Sequence, residues 1–258
     1  MNQSGGQMHA GADVRVQADA AGVASAAARL FVDAAQQAVR ERGRFFVALS
    51  GGSTPRALYQ MLAAPPYHDQ VEWSRAVVFW GDERCVAPDD AESNYRMARE
   101  ALLFHVPVLA NQVFRMHGEL ADVDTAASLY EMDLRRAFAL APGTLPRFDL
   151  LLLGLGPDGH TASLFPHTAA LGISDRFVVA NHVDKLGANR LTVTVPVINR
   201  AACVTFLVAG ADKAQALAGV LQGPRQPEEL PAQLVAPTDG QLIWLVDRAA
   251  AADLRPLP

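Results

Sequence analysis

Short apolar runs rich in β-branched and aromatic residues alternate along this chain with stretches of helical period. No other feature constrains the fold as strongly. Residues 44–50 (RFFVALS), 76–80 (AVVFW), 148–154 (FDLLLLG), 177–183, 191–197, 204–209 and 242–246 read as strands. Residues 22–42, 54–62, 94–104, 125–140 and 212–221 read as helices, the first Ala-rich and amphipathic. Near-continuous apolar strands separated by helices demand an α/β fold, with a mostly parallel sheet covered on both faces. The run Leu191-Thr-Val-Thr-Val alternates instead, which suits an antiparallel or edge position. No repeat, low-complexity block or domain boundary interrupts the pattern. The expectation is one domain over residues 1–258, with 1–12 as a flexible N-terminus.

Composition excludes several classes. Hydrophobic residues make up 50% and charged residues 19%, which suits a globular chain and not a disordered one. Lys and Arg number 22 against 27 Asp and Glu, a net charge of −5. That balance lacks the basic excess of a nucleic-acid binder, so an anionic ligand must be caught by local geometry. Cys85 and Cys203 lie far apart with no Cys-x-x-Cys, which indicates neither a zinc knuckle nor a disulfide framework. No apolar run approaches the ~20 residues needed to span a bilayer. Residues 1–11 are small and polar, without the basic and apolar regions of a signal peptide. A cytoplasmic protein without a membrane partner is expected.

Three loops that follow predicted strands carry unusual polar sequence, and ligands of open α/β sheets sit beyond the carboxyl ends of the strands. The first is Ser50-Gly51-Gly52-Ser53-Thr54-Pro55. It enters a helix with proline in the first turn, and its glycines and hydroxyls suit a phosphate cradle at a helix N-terminus. Ala48-Leu-Ser50-Gly-Gly52 also approximates a nucleophile elbow. That reading makes Ser50 a nucleophile, although elbows normally follow more of the sheet. The second loop is Gly81-Asp82-Glu83-Arg84. Alternation along an extended backbone turns Asp82 and Arg84 to one side and Glu83 to the other. The third is Gly154-Leu-Gly-Pro-Asp158-Gly-His160-Thr-Ala-Ser-Leu-Phe165-Pro166. Its Gly-x-Gly-x-x-Gly is a formal dinucleotide match, but it lies midway along the chain and places an acid where a pyrophosphate would sit. His160, at the mouth of a strand, is a candidate general base. The other six histidines form no metal-ligand spacing, so no metal is expected. Lys185, Arg190 and Lys213 lie beside later strands and are candidate cations for a phosphate.

Together the three loops, with Ser93-Asn94-Tyr95 downstream of the second, resemble the 6-phosphogluconolactonase family, which groups with the glucosamine-6-phosphate deaminases. The resemblance runs from about residue 20 to 246. It implies a three-layer α/β/α, Rossmann-like domain that hydrolyses 6-phosphoglucono-δ-lactone to 6-phosphogluconate in the oxidative pentose phosphate pathway. It also implies no metal or organic cofactor and a small phosphorylated sugar lactone as partner. The oligomeric state is left as monomer or small homo-oligomer. His160 matches the family's general base, and Asp82 and Arg84 its loop beside the sugar. Gly51, Gly52 and Ser53 match its phosphate loop, flanked here by Ser50 and Thr54. Arg190 and Lys213 match its phosphate-binding cations. Family members often carry Lys-Pro-Pro before the arginine. Here the run is Lys185-Leu-Gly-Ala-Asn-Arg190, which leaves the role of Lys185 open.

The chemistry suits these residues. A lactone is a ring ester, and its hydrolysis needs an activated water and a stabilised oxyanion. His160 would supply the first, and Arg84 or a backbone N–H the second. Asp158 would orient the loop or the imidazole. The alternatives are a sugar-phosphate deaminase-isomerase on the same fold and a sugar-phosphate sensor domain. The sensor reading lacks room for a DNA-binding domain before the first helix. The deaminase branch carries a glutamate before the proline that follows its histidine, and Phe165 takes that place here.

Overall fold

A computed structural model of the protein describes residues 12–256. The expected flexible segment therefore lies outside the described residues, except that Ala12 already belongs to a strand. The elements in order are β1 (Ala12–Gln17), α1 (Ala20–Arg42), β2 (Phe45–Leu49), α2 (Ser53–Leu62), β3 (Ala76–Trp80), β4 (Asp82–Arg84), α3 (Asn94–Ala98), α4 (Val123–Ala137), β5 (Leu150–Leu153), β6 (Val178–Val183), β7 (Ala188–Val193), α5 (Val195–Arg200), β8 (Cys203–Val208), α6 (Ala214–Gln222) and β9 (Gln241–Asp247). Six strands form one sheet in the order β1-β9-β8-β5-β2-β3, every pair parallel. The α/β class with a mostly parallel sheet is the one read from the sequence.

Side-chain alternation explains the three layers. In β2, Phe45, Val47 and Leu49 face one core while Ala48 faces the other. In β5, Leu150 and Leu152 join the first core and Leu151 and Leu153 the second. A strand buried on both faces must be apolar at every position, which is why Leu150–Leu153 is an unbroken leucine run. Helices α1, α2 and α3 cover the first face. Helices α4 and α6 cover the second, with help from a small sheet. The 23-residue α1 starts at Asp19, whose carboxylate accepts the Gly22 N–H at 2.8 Å, and stops at left-handed Gly43. Its buried residues, from Val23 through Phe31 to Ala38, recur at helical spacing.

The small sheet has the order β4-β7-β6 and is antiparallel throughout. It accounts for the alternating pattern at Leu191. The run read as a strand to residue 197 ends at Val193, however, and Val195–Arg200 is helical with Pro196 in its first turn. Its β-branched residues signal strand, but proline sits where a helix start needs no N–H. The helix read over residues 94–104 is α-helical only to Ala98 and continues as a π-turn, Arg99–Leu103. No helix among the described residues is long and apolar enough to cross a membrane.

Candidate active site

The sheet has one topological switch point. From β2 the chain runs outward to β3, whereas from β5 it runs the other way to β8 and β9. The loops after the adjacent strands β2 and β5 therefore diverge and open a crevice. A cleft of about 310 Å3 lies there. Ser50, Gly51, Gly52, Ser53, Thr54, Asp82, Arg84, His160 and Lys213 all line it. Of the residues singled out from the sequence, Asp158, Lys185 and Arg190 are not in the lining.

The first wall is the start of α2. Its N-cap, Gly52, sits at φ 108° and has no side chain to satisfy the first-turn N–H groups. Those donors and the positive helix end face the cleft. Gly51 must lack a side chain, since a Cβ would collide with the Asn94 amide. The backbone just before the glycines is pinned by Tyr59, fully buried, whose hydroxyl accepts the Ser50 N–H at 2.9 Å and donates to the Ser50 carbonyl at 2.8 Å. Burial raises the Tyr59 pKa further above the ordinary phenol range. The Ser50 Oγ is buried in the cleft wall without a hydrogen-bond partner.

The second wall is β4. Asp82 and Arg84 line the cleft and Glu83 turns away, as the alternation predicts. Glu83 is buried and accepts the Asn94 and Tyr95 N–H groups at 2.7 and 2.8 Å, so it holds the start of α3. Burial pushes its pKa up despite these bonds. Asp82, also buried, accepts the Ser163 hydroxyl at 2.7 Å and the Asn94 amide at 3.3 Å. Asn94 and Ser163 thus tie all three loops together. Sequence reasoning did not single out either as a site residue, because a lone Asn or Ser carries no local signal.

The third wall is the loop after β5. Gly156 admits the imidazole, since a Cβ there would collide with His160 Nδ1. The Asp158 carboxylate accepts from Nδ1 at 2.5 Å and from the His160 backbone N–H at 3.2 Å. Asp158 therefore sits behind the ring, and the acceptor lone pair belongs to Nε2. The other face of the ring stacks on Phe165, with centroids 4.1 Å apart. Burial pushes the His160 pKa down to about 4. Asp82 opposes that shift, and Lys213, Arg84 and Arg190 reinforce it. The imidazole is consequently neutral at pH 7. Lys213 extends from the turn after β8 and pairs with Asp212 at 2.9 Å. Arg190, on β7, stands opposite Arg84. Lys185, whose role the sequence left open, forms an ion pair with Asp158. No group of three or more His, Cys, Asp or Glu side chains among the described residues is placed to hold a metal.

Fold and cleft together define a doubly wound α/β/α protein with a neutral histidine and several cations at the carboxyl edge of its sheet. Residues 18–244 match the family of glucosamine-6-phosphate isomerases and 6-phosphogluconolactonase. The chain is 46% identical over 220 residues to a 6-phosphogluconolactonase from Synechocystis, covering 85% of this chain and 89% of that protein. It is 43% identical over 236 residues to one from Mycobacterium tuberculosis, covering 89% and 93%. Its structure is similar to that of a 6-phosphogluconolactonase from Trypanosoma cruzi, with a TM-score of 0.83, 30% identity and coverage of 94% and 96%. The chain belongs to the glucosamine-6-phosphate isomerase/6-phosphogluconolactonase family.

Proposed function

We infer that this protein is an enzyme that hydrolyses 6-phosphoglucono-δ-lactone to 6-phosphogluconate in the oxidative pentose phosphate pathway. The observation that carries the reading is the Asp158–His160 pair, its imidazole neutral at pH 7, beside a cleft whose far wall is an uncapped helix N-terminus. Names and identities of relatives across most of the chain support it. The substrate phosphate sits against the N–H groups of residues 51–54, with Lys213 and Arg190 as counter-charges. That grip fixes the lactone carbonyl next to His160, converting remote binding energy into orientation.

His160 Nε2 then takes a proton from water, and the resulting hydroxide bonds to the carbonyl carbon, an assistance typically worth ~10²–10⁴-fold. The carbonyl π electrons move onto oxygen. Arg84 or a cleft N–H steadies that oxyanion, a contribution of roughly 3 kcal/mol. On collapse the ring C–O bond breaks, and the leaving oxygen receives the proton from His160. Asp158 keeps the imidazole in the tautomer that exposes Nε2.

A serine-nucleophile mechanism is disfavoured. The Ser50 Oγ makes no hydrogen bond, so it lacks the adjacent base that would activate it. The test is to supply freshly made 6-phosphogluconolactone to pure protein and follow acid release. A saturable rate well above spontaneous hydrolysis is expected, and a rate equal to it would refute the reading.

A further inference from the structure

The tip of the β6–β7 hairpin reaches back to the loop after β5. Residues 184–187 turn through left-handed Gly187 (φ 57°) and present Lys185 to the Asp158 carboxylate, on the oxygen that does not hold His160. The same ammonium lies 4.8 Å from the centroid of the Phe165 ring, and His160 stacks on that ring. Lys185, Asp158, His160 and Phe165 thus form a closed set, with each member touching two others. The lysine side chain is half exposed. Exposed ion pairs add little to stability, so the fold does not require this one.

We propose that Lys185 is a positioning residue of the catalytic centre: it neutralises Asp158 from behind and keeps His160 in its basic, unprotonated form. The inference rests on the reading of His160 as the base. A carboxylate bonded to Nδ1 orients the ring, but its negative charge also favours the imidazolium, which cannot accept a proton. An ammonium on the far oxygen preserves the orientation and offsets the charge. The other charges facing the ring are Asp82 and Arg84 from β4, Arg190 from β7 and Lys213 after β8. Among them the cations already outnumber the acid. The fourth cation is the one that addresses Asp158 itself.

The test compares wild type with Lys185→Met, Lys185→Gln and Lys185→Arg by two readouts. The first is the NMR titration of the imidazole Cε1–H, assigned by its loss in His160→Gln. The second is the pH dependence of kcat on 6-phosphogluconolactone. In both neutral variants the imidazole midpoint and the acid limb of kcat are expected to move toward neutral pH by about tenfold in proton concentration. KM should stay within about twofold, and Lys185→Arg should restore both readouts. An unmoved midpoint would overturn the proposal. So would a large rise in KM with an unchanged acid limb, which would make Lys185 a substrate grip. If the midpoint moves while His160→Gln remains active, the base assignment fails and the Lys185–Asp158 coupling stands.

Discussion

Arg84 and Arg190 stand directly opposite one another in the antiparallel pairing of β4 with β7. Like charges in that position repel. Neither has a carboxylate partner among the described residues; Arg84 donates to the Glu92 carbonyl and Arg190 to that of Asn189. A pair of this kind is relieved by an anion between or beside the two guanidinium groups. We predict that 6-phosphogluconate at ~100 times its Kd stabilises the protein by about 2.7 kcal/mol, a Tm rise of several degrees. In Arg190→Ala the rise at the same concentration should shrink, while the unliganded Tm should not fall. A ligand-induced shift identical to wild type would remove Arg190 from the anion site.

His160→Gln keeps a polar side chain of similar reach but supplies no base. Loss of at least ~10²-fold in kcat is expected, with an unchanged circular-dichroism spectrum. In the wild type, kcat/KM should hold down to acid pH and fall only as the medium approaches the His160 pKa of about 4. An acid limb near pH 6.5 would show a solvated imidazole.

The depressed pKa also bears on stability. His160 titrates at about 4 when folded, against an ordinary 6.5. Between those values the unfolded chain binds a proton that the native protein refuses. Stability is therefore fully present above pH 6.5 and is lost as pH falls toward 4. Melting curves at pH 7, 5.5 and 4 should show a smaller acid-induced drop in His160→Gln than in wild type. Equal drops would place the lost stability elsewhere.

Tyr59 and Tyr130 perform the same task at neighbouring strand ends. Tyr130 accepts the Trp80 N–H at 2.7 Å and donates to the Trp80 carbonyl at 3.0 Å, as Tyr59 does for Ser50. Ser50 leaves β2 where it diverges from β5, and Trp80 ends the edge strand β3; at both places backbone groups lack a sheet partner, and a buried phenol replaces it. Tyr59→Phe should cost about 1–3 kcal/mol by urea unfolding, because it strands a buried N–H and C=O. It should also raise KM, since Ser50 leads into the phosphate loop. A neutral result would mean that water replaces the hydroxyl.

The parallel strands and the three loops were legible because each is written in consecutive residues. Leu150–Leu153 announces burial on both faces, and Gly156 and Gly159 announce a turn. β1 was missed because an edge strand has one neighbour and needs few apolar residues; Asp13 and Arg15 are exposed. β4 has three residues, too few for any period. The Lys185–Asp158 contact joins residues far apart in sequence, and nothing local to either one records the other. Asn94 stands in the Ser93-Asn94-Tyr95 run, but its role was illegible for the same reason, because its value lies in reaching both Asp82 and the Gly51 turn.

Phe165 bears on the choice between the two activities named in the family. A deaminase-isomerase must open a sugar ring and move protons between carbons, which requires a carboxylate besides the histidine. The deaminase pattern places that acid immediately before the proline, and here the position holds Phe165, which is 6% exposed and stacked on His160. The ring packs and shapes the imidazole pocket but carries no proton. Asp158, the nearest carboxylate, is engaged by Nδ1 and Lys185, and Asp82 is engaged by Ser163 and Asn94. A lactone is already an activated acyl group, so one base and one oxyanion donor suffice. No ammonia release from glucosamine 6-phosphate is therefore expected in a coupled assay at high enzyme concentration. Saturable release abolished by His160→Gln would move this chain to the deaminase branch.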